Sequence, residues 1–161
     1  MPTPKARADL QPRDDLSAAL TALKTCLERK HNLLKTLLRN TREINIAARS
    51  GNFIRSGELI EENTPVMECV DAADFDIRAS LDSVLGIAGE PESALMSSLP
   101  RMRGSGSECA ALYESIARLN TEILDLAEQN HVLLIAELER TGRDIREIGA
   151  VRQLKKSVEE C

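Results

Sequence analysis

Aromatic residues are almost absent from this chain of 161 residues. It has no Trp, one Tyr and two Phe, which together make up 2% of the sequence. A chain with so few aromatic side chains lacks the platforms on which many nucleic-acid-binding proteins stack bases. Its formal net charge of -5 also repels phosphate. These two features argue against nucleic-acid binding.

Long apolar runs are missing as well. No stretch approaches the roughly 18 consecutive apolar residues that a membrane-spanning helix needs. The opening segment, "MPTPKARADLQPRDD", contains three prolines and no apolar core, unlike a secretory signal or a membrane anchor. The sequence therefore predicts a cytoplasmic protein with no insertion into a membrane.

Sequence motifs for catalysis and metal binding are also lacking. The four cysteines are far apart in the sequence and form no C-x-x-C pair, which favours reduced thiols over a zinc or redox site. The chain has no glycine-rich phosphate loop, no G-x-S-x-G and no H-E-x-x-H motif. We therefore expect a binding protein rather than an enzyme, and no cofactor.

The sequence has a strong helical periodicity instead. Leucines from Leu16 to Leu38 recur mostly at spacings of three, four and seven, which predicts one long helix over about residues 15–49. Asp14 or Asp15 could cap its start, and "SGN" at 50–52 marks its end. Residues 1–14 are then a disordered tail, and 15–161 form a single helical-bundle domain.

Two further helices are predicted after this one. A second apolar stripe covers about residues 53–85, and Pro65 within it predicts a kink or a restart capped by Thr64. A third and longest stripe covers about residues 107–157, with Ser107 as its cap. The fold class is therefore all-α: an elongated antiparallel three-helix bundle or coiled coil.

The segment between the last two helices differs in composition. Residues 86–106, "GIAGEPESALMSSLPRMRGSG", are interrupted throughout by Gly, Pro and Ser. This composition predicts a long, mobile loop with at most one helical turn.

Both histidines follow a glutamate by three residues, in "ERKH" at 28–31 and "EQNH" at 128–131. Ferritin-like bundles bind paired metal ions with this spacing. At about 100° per residue, however, Glu128 turns away from the inner face that Asn130 occupies, so the two pairs do not converge. A di-metal site would also need two more glutamate-bearing helices. The sequence therefore predicts no metal site.

Asn130 is a polar residue in the middle of the third apolar stripe, a position that usually fixes helix register. The helix after it carries a wide apolar surface flanked by arginines, and it outruns the two other helices. This surface could bind a partner helix, pair with a second copy, or fold onto the second helix. The candidate partner-binding residues are Leu134, Leu138, Ile145, Ile148, Val151 and Leu154.

Two segments resemble FlgN-like flagellar export chaperones. "ARLNTEILDLAEQNHVLLIAELERTGRDI" at 117–145 is similar to the closing helix of that family. "LERKHNLLKTLLRNTREINIAARSGNFIRSGELIEENTPVME" at 27–68 is similar to its first helical hairpin, with a small break between the helices. Pro65 and the long connection at 86–106 depart from the family pattern.

The resemblance implies a cytoplasmic chaperone of the flagellar type III secretion system. Such a chaperone binds hook-filament junction proteins through its C-terminal amphipathic helix, prevents their premature association and delivers them to the export gate. On this chain, the client would contact the apolar side chains after Asn130. The alternative is a structural coiled-coil adaptor or homo-oligomeric tether without a role in secretion. The sequence leaves open whether the protein is a monomer or a homodimer.

Overall fold

The protein is all-α in the computed structural model, which describes residues 11–159 of the backbone and the side chains of residues 13–152. The long helices are α1 (Gln11–Arg49), α2 (Phe53–Ala88) and α4 (Ser105–Glu159). A short helix, α3 (Glu92–Ser98), and a 3-10 turn (Leu99–Arg101) connect α2 to α4. No strand occurs within this described part of the chain. None of the described helices is long and apolar enough to cross a membrane.

The break between α1 and α2 follows directly from "SGN". Gly51 has a φ of 76°, and its N–H donates to the carbonyl oxygen of Ala48 at 3.1 Å. The N–H of Asn52 reaches back to the carbonyl of Ala47 at 2.8 Å, so the two bonds form a Schellman motif. The Asn52 side chain then accepts from the N–H of Arg55 at 3.2 Å and caps α2. One residue therefore ends the first helix and starts the second.

Contacts along the helices are consistent with a bundle. Between α1 and α2 the contact pairs run in opposite directions along the chain: Cys26 with Ser80, Arg29 with Asp76, and Asn40 with Asn63. Between α1 and α4 they run in the same direction: Lys24 with Glu108, His31 with Ser115, and Asn45 with Asn130. Helices α2 and α4 both pack along α1 but hardly touch each other over the described residues.

The apolar core lies toward the end of the bundle that holds α3. Its fully buried side chains come from all of the helices and include Leu23, Leu27, Leu34, Val84, Leu95, Leu99 and Cys109. Leu95 on α3 and Leu99 on the 3-10 turn complete this core. The expectation of a long loop at 86–106 is therefore wrong for the central part of that segment. Two leucines in a Pro- and Ser-rich stretch bury enough apolar surface to order it.

Three further expectations at helix ends differ from the structure. Helix α1 already includes Gln11, so neither Asp14 nor Asp15 caps its start, and residues 11–14 are helical rather than a tail. Residues 1–10 lie outside the described part. Helix α4 begins at Ser105, and the Ser107 hydroxyl donates to the carbonyl oxygen of Gly104 at 3.0 Å instead of capping the helix.

Pro65 neither ends nor restarts α2, which is one continuous helix around it. Proline in a helix interior removes one backbone donor and crowds the preceding turn. Pro65 lies on the exposed face of α2, so its ring meets solvent. Packing of the flanking residues against α1, with Leu59 and Asn63 buried, maintains the helix through this position.

Candidate partner-binding site

Helix α4 continues beyond the rest of the bundle. Arg49, the last residue of α1, reaches the side chain of Gln129 at 3.4 Å. Helix α2 begins at the same end, at Phe53. From Leu134 to Glu159, α4 therefore has neither long helix alongside it, and at 1.5 Å per residue this part is about 38 Å long. We call residues 134–159 the α4 extension.

The extension carries the candidate partner-binding residues, and most of their side chains are exposed. Leu138 is 67% exposed, Ile145 64%, Ile148 54% and Val151 64%. Leu134 is half-buried at the base of the extension, and the side chain of Leu154 lies outside the described residues. At about 100° per residue, Leu138, Ile145 and Ile148 fall on one side of α4. Together they form an apolar stripe.

Arginines and glutamates flank this stripe. Arg140 forms two hydrogen bonds with the Glu137 carboxylate, at 2.8 and 2.7 Å. This contact lowers the pKa of Glu137 and raises that of Arg140. Arg140 is exposed and Glu137 is half-buried at the helix surface, so the pair adds little to stability. It fixes local side-chain positions beside Leu138, where a bound helix would meet them.

A polar layer lies where α4 leaves the bundle. The Asn130 side chain is 5% exposed, donates to the backbone carbonyl oxygen of Thr41 at 3.0 Å and accepts from the Asn45 amide at 2.7 Å. The Asn40 amide donates to the Asn63 side-chain carbonyl at 2.9 Å in the same region. Asn130 thus occupies the inner position that the periodicity predicts for it.

An apolar groove runs between α2 and α4 beside this polar layer. Because these two helices barely touch, side chains of α1 line the bottom of the gap between them. The groove has a volume of about 340 Å³, and Ile60 and Met67 on α2 face Leu124 and Ala127 on α4 across it. Leu37, Thr41 and Ile44 of α1 form its floor, while Ile123, Asn130, His131 and Leu134 complete the α4 side. We call this feature the α2/α4 groove.

Sequence reasoning missed this groove. The exposed fractions of Ile60 (44%), Met67 (56%) and Leu124 (69%) show that its upper walls are uncovered. The apolar pattern of the sequence indicates the groove only weakly, since Ile60, Met67 and Leu124 each lie beside the stripe that packs on α1. Only the gap between α2 and α4 turns them into two sides of one groove.

The two Glu–His pairs are separate in the structure. The His31 ring bonds to the Ser115 hydroxyl at 2.9 Å, and its pKa is lowered by burial and by the nearby charge of Lys35. Glu28 instead faces Lys24 at 3.7 Å. His131 lies 16 residues beyond Ser115, which is about 24 Å along α4. Within the described residues, no three His, Cys, Asp or Glu side chains cluster as metal ligands would.

The three cysteines in the described part of the chain are separate thiols. Cys26, Cys69 and Cys109 are unpaired in the described chain, and burial raises the pKa of Cys109 to about 11. The Cys109 thiol contacts the backbone carbonyl oxygen of Leu20 at 3.6 Å. A thiol with so high a pKa is protonated at neutral pH and unreactive, so Cys109 serves as a packing residue.

No protein-family model, curated protein or solved structure matches this chain.

Proposed function

We propose that this protein is a cytoplasmic flagellar export chaperone. It would bind hook-filament junction proteins, prevent their premature association and deliver them to the type III export gate. The flagellar assignment depends on the resemblance of residues 27–68 and 117–145 to FlgN-like chaperones. The proposed mechanism requires neither ATP nor another cofactor, and the proposal assigns the protein no enzymatic activity.

The observation that carries the proposal is the exposed stripe on the α4 extension. Isolated helices gain little stability from propensity alone, and a helix in a protein usually buries its apolar face against a partner. An amphipathic client segment could pack on Leu138, Ile145 and Ile148, with Val151 and Leu154 farther along the helix. Flanking groups such as Arg140 and Glu137 would set its orientation.

The proposed framework is an elongated antiparallel three-helix bundle. The opposite order of contacts between α1 and α2 supports it, as does the common direction of α1 and α4. In this arrangement α1 and α2 support the base of α4, and the extension projects from one end.

A structural adaptor or homo-oligomeric tether is the alternative. The same exposed stripe favours it, because a long helix with one apolar face also suits coiled-coil pairing. The two functions differ in what the stripe binds inside the cell.

A pull-down from the source organism tests the chaperone function. The tagged full-length protein should recover hook-associated proteins, and a Leu138→Asp variant should lose them. A Val132→Asp variant is the matched control, because Val132 is also exposed, at 62%, but lies on a different face of α4. Recovery of no hook-associated protein, or equal recovery by both variants, would reject the proposal.

A further inference from the structure

The α2/α4 groove and the α4 extension are two apolar surfaces of complementary shape. The groove is open between two helices that barely touch along this stretch, with α1 as its floor. An added helix there would pack its side chains between those of α2 and α4 and close a four-helix arrangement. The extension is a helix with one apolar face, and Leu138, Ile145 and Ile148 on that face are exposed.

The two surfaces also differ in charge. Helix α2 has no Lys or Arg between Arg55 and Arg78, and α4 has none between Arg118 and Arg140. On α2, Asp71 follows Met67 by four residues and therefore lies on the groove side of the helix. Residues 144–159 of the extension contain four basic and three acidic residues, a small positive excess. The acidic α2 wall therefore favours this end of the extension as an occupant.

The extension cannot reach the groove of its own chain. The α4 side of the groove, Ile123 to Leu134, directly precedes the extension on the same helix. Helix α4 is continuous from Ser105 to Glu159, so the extension projects away from the groove. Folding back would require a break in α4. The extension can occupy a groove only in another molecule.

We propose that two copies of this chain exchange their α4 extensions, each inserting into the α2/α4 groove of the other. A two-fold axis would pass near Leu138 of both chains, so that the two α4 helices run antiparallel. Residues 133–143 of the two helices then pair with each other between the bundles. Beyond them, residues 144–159 of one copy lie along residues 132–117 of the other.

The lengths agree with this arrangement. The α4 side of the groove, from Ile123 to Leu134, is about 17 Å long, and residues 144–159 extend about 23 Å. With the axis at Leu138, residue 132 of one copy lies at the same level along the paired helices as residue 144 of the other, so the ends of the two bundles are about 18 Å apart. Ile145, Ile148 and Val151 are then inside the groove, and the closed symmetry leaves no extension uncovered.

This inference does not depend on the flagellar assignment. It does predict that a client and a second copy compete for the same side chains of the extension. The exchanged dimer would then be the state of the protein without a client.

The mass of the full-length protein in solution tests the exchange. Sedimentation equilibrium should give a dimer for the wild type. Leu124→Asp in the groove and Ile148→Asp on the extension should each raise the dissociation constant. An introduced carboxylate costs about tenfold at each of the two symmetric sites, so the increase is on the order of 100-fold. Val132→Asp and Ile54→Asp are the matched controls and should remain dimeric, because both residues are exposed but lie off the groove.

Mixing the two weakened variants separates exchange from simple pairing of the extensions. In their heterodimer one groove and the extension inserted into it are both intact, and both substitutions fall in the other site. Because a site already broken by one carboxylate loses little more from a second, the heterodimer should be up to about tenfold tighter than either homodimer. Helicity measured by circular dichroism checks folding, and Met67→Asp repeats the groove test from α2. A monomeric wild type, a dimer that Leu124→Asp and Met67→Asp leave unchanged, or a mixture with no recovery would each overturn the proposal.

Discussion

The side-chain amide of Asn130 donates to the backbone carbonyl oxygen of Thr41 at 3.0 Å, inside the interface between α4 and α1. That carbonyl belongs to a helix, so the bond fixes how far along α1 the fourth helix sits. The side-chain amide of Asn45, one turn later on α1, donates to the side-chain carbonyl oxygen of Asn130 at 2.7 Å and holds the same side chain in place. The α4 extension therefore leaves the bundle at a defined position.

Asn130→Ala should destabilise the protein by about 1–3 kcal/mol, because it leaves the Asn45 amide and the Thr41 carbonyl without this partner. Urea unfolding followed by circular dichroism measures the change. Asn120→Ala is the control, since Asn120 is a half-buried asparagine on the same helix. Equal losses in the two variants would contradict a specific role for Asn130.

Leu99→Ala should cost about 2–5 kcal/mol, because Leu99 is 1% exposed and its truncation leaves a cavity in the core. The same truncation of a leucine in a mobile loop would hardly change the free energy of unfolding. Ser97→Ala, at an exposed position of α3, provides the baseline in the same urea titration. A loss below about 0.5 kcal/mol for Leu99→Ala would mean that the connecting segment does not pack on the core.

Gly51→Ala and Gly57→Ala should change stability in opposite directions. Gly51 has a φ of 76°, where a Cβ is strained, so its replacement should cost about 1 kcal/mol. Gly57 is within α2 and has open space around its Cα, so alanine there should add about 0.5–1 kcal/mol. Thermal unfolding of both variants checks the signs, and stabilisation by Gly51→Ala would contradict the Schellman turn.

Stability should fall as the pH drops below about 6.5, the ordinary pKa of histidine. Burial and the nearby Lys35 lower the pKa of His31 in the folded protein. The unfolded chain therefore binds a proton at a higher pH than the folded one, and folding loses stability as His31 must become charged. His31→Gln should reduce this decline between pH 7.5 and 5 in urea titrations. An identical pH dependence in wild type and variant would show that other groups cause it.

Ile145→Asp should abolish client binding while leaving helicity nearly unchanged, because Ile145 is 64% exposed and outside the core. Circular dichroism and the pull-down together measure both effects. The Val132→Asp control should retain both helicity and client. A collapse of the helical signal in Ile145→Asp would mean that this residue belongs to a core, and the binding assignment would be wrong.

The long helices were predictable because their apolar residues recur at helical spacing over many turns. The end of α1 was predictable for a local reason, since Gly51 adopts a positive φ at little cost. The short helix α3 was not, because composition around Leu95 and Leu99 indicates a loop and only contact with the other helices orders it. The prediction that α2 restarts at Pro65 is wrong for a similar reason: packing of α2 against α1 outweighs the local preference of proline for a break.

The candidate site was predictable in part. The stripe from Leu138 to Val151 follows from periodicity, and its exposure follows from the greater length of α4. Neither the apolar periodicity nor the length of α4 predicts the α2/α4 groove. Its two sides come from residues more than fifty positions apart, and it exists because α2 and α4 both pack on α1 and barely touch each other.

The sequence by itself determined the helical class, the break at "SGN" and the amphipathic end of the chain, because each depends on residues within a few turns of one another. The tertiary structure decided which leucines of residues 86–106 enter the core, where Asn130 anchors α4, and that a groove remains open beside it. Those features depend on how α2 and α4 share α1 as their central partner, and this distribution of contacts is a property of the packed chain.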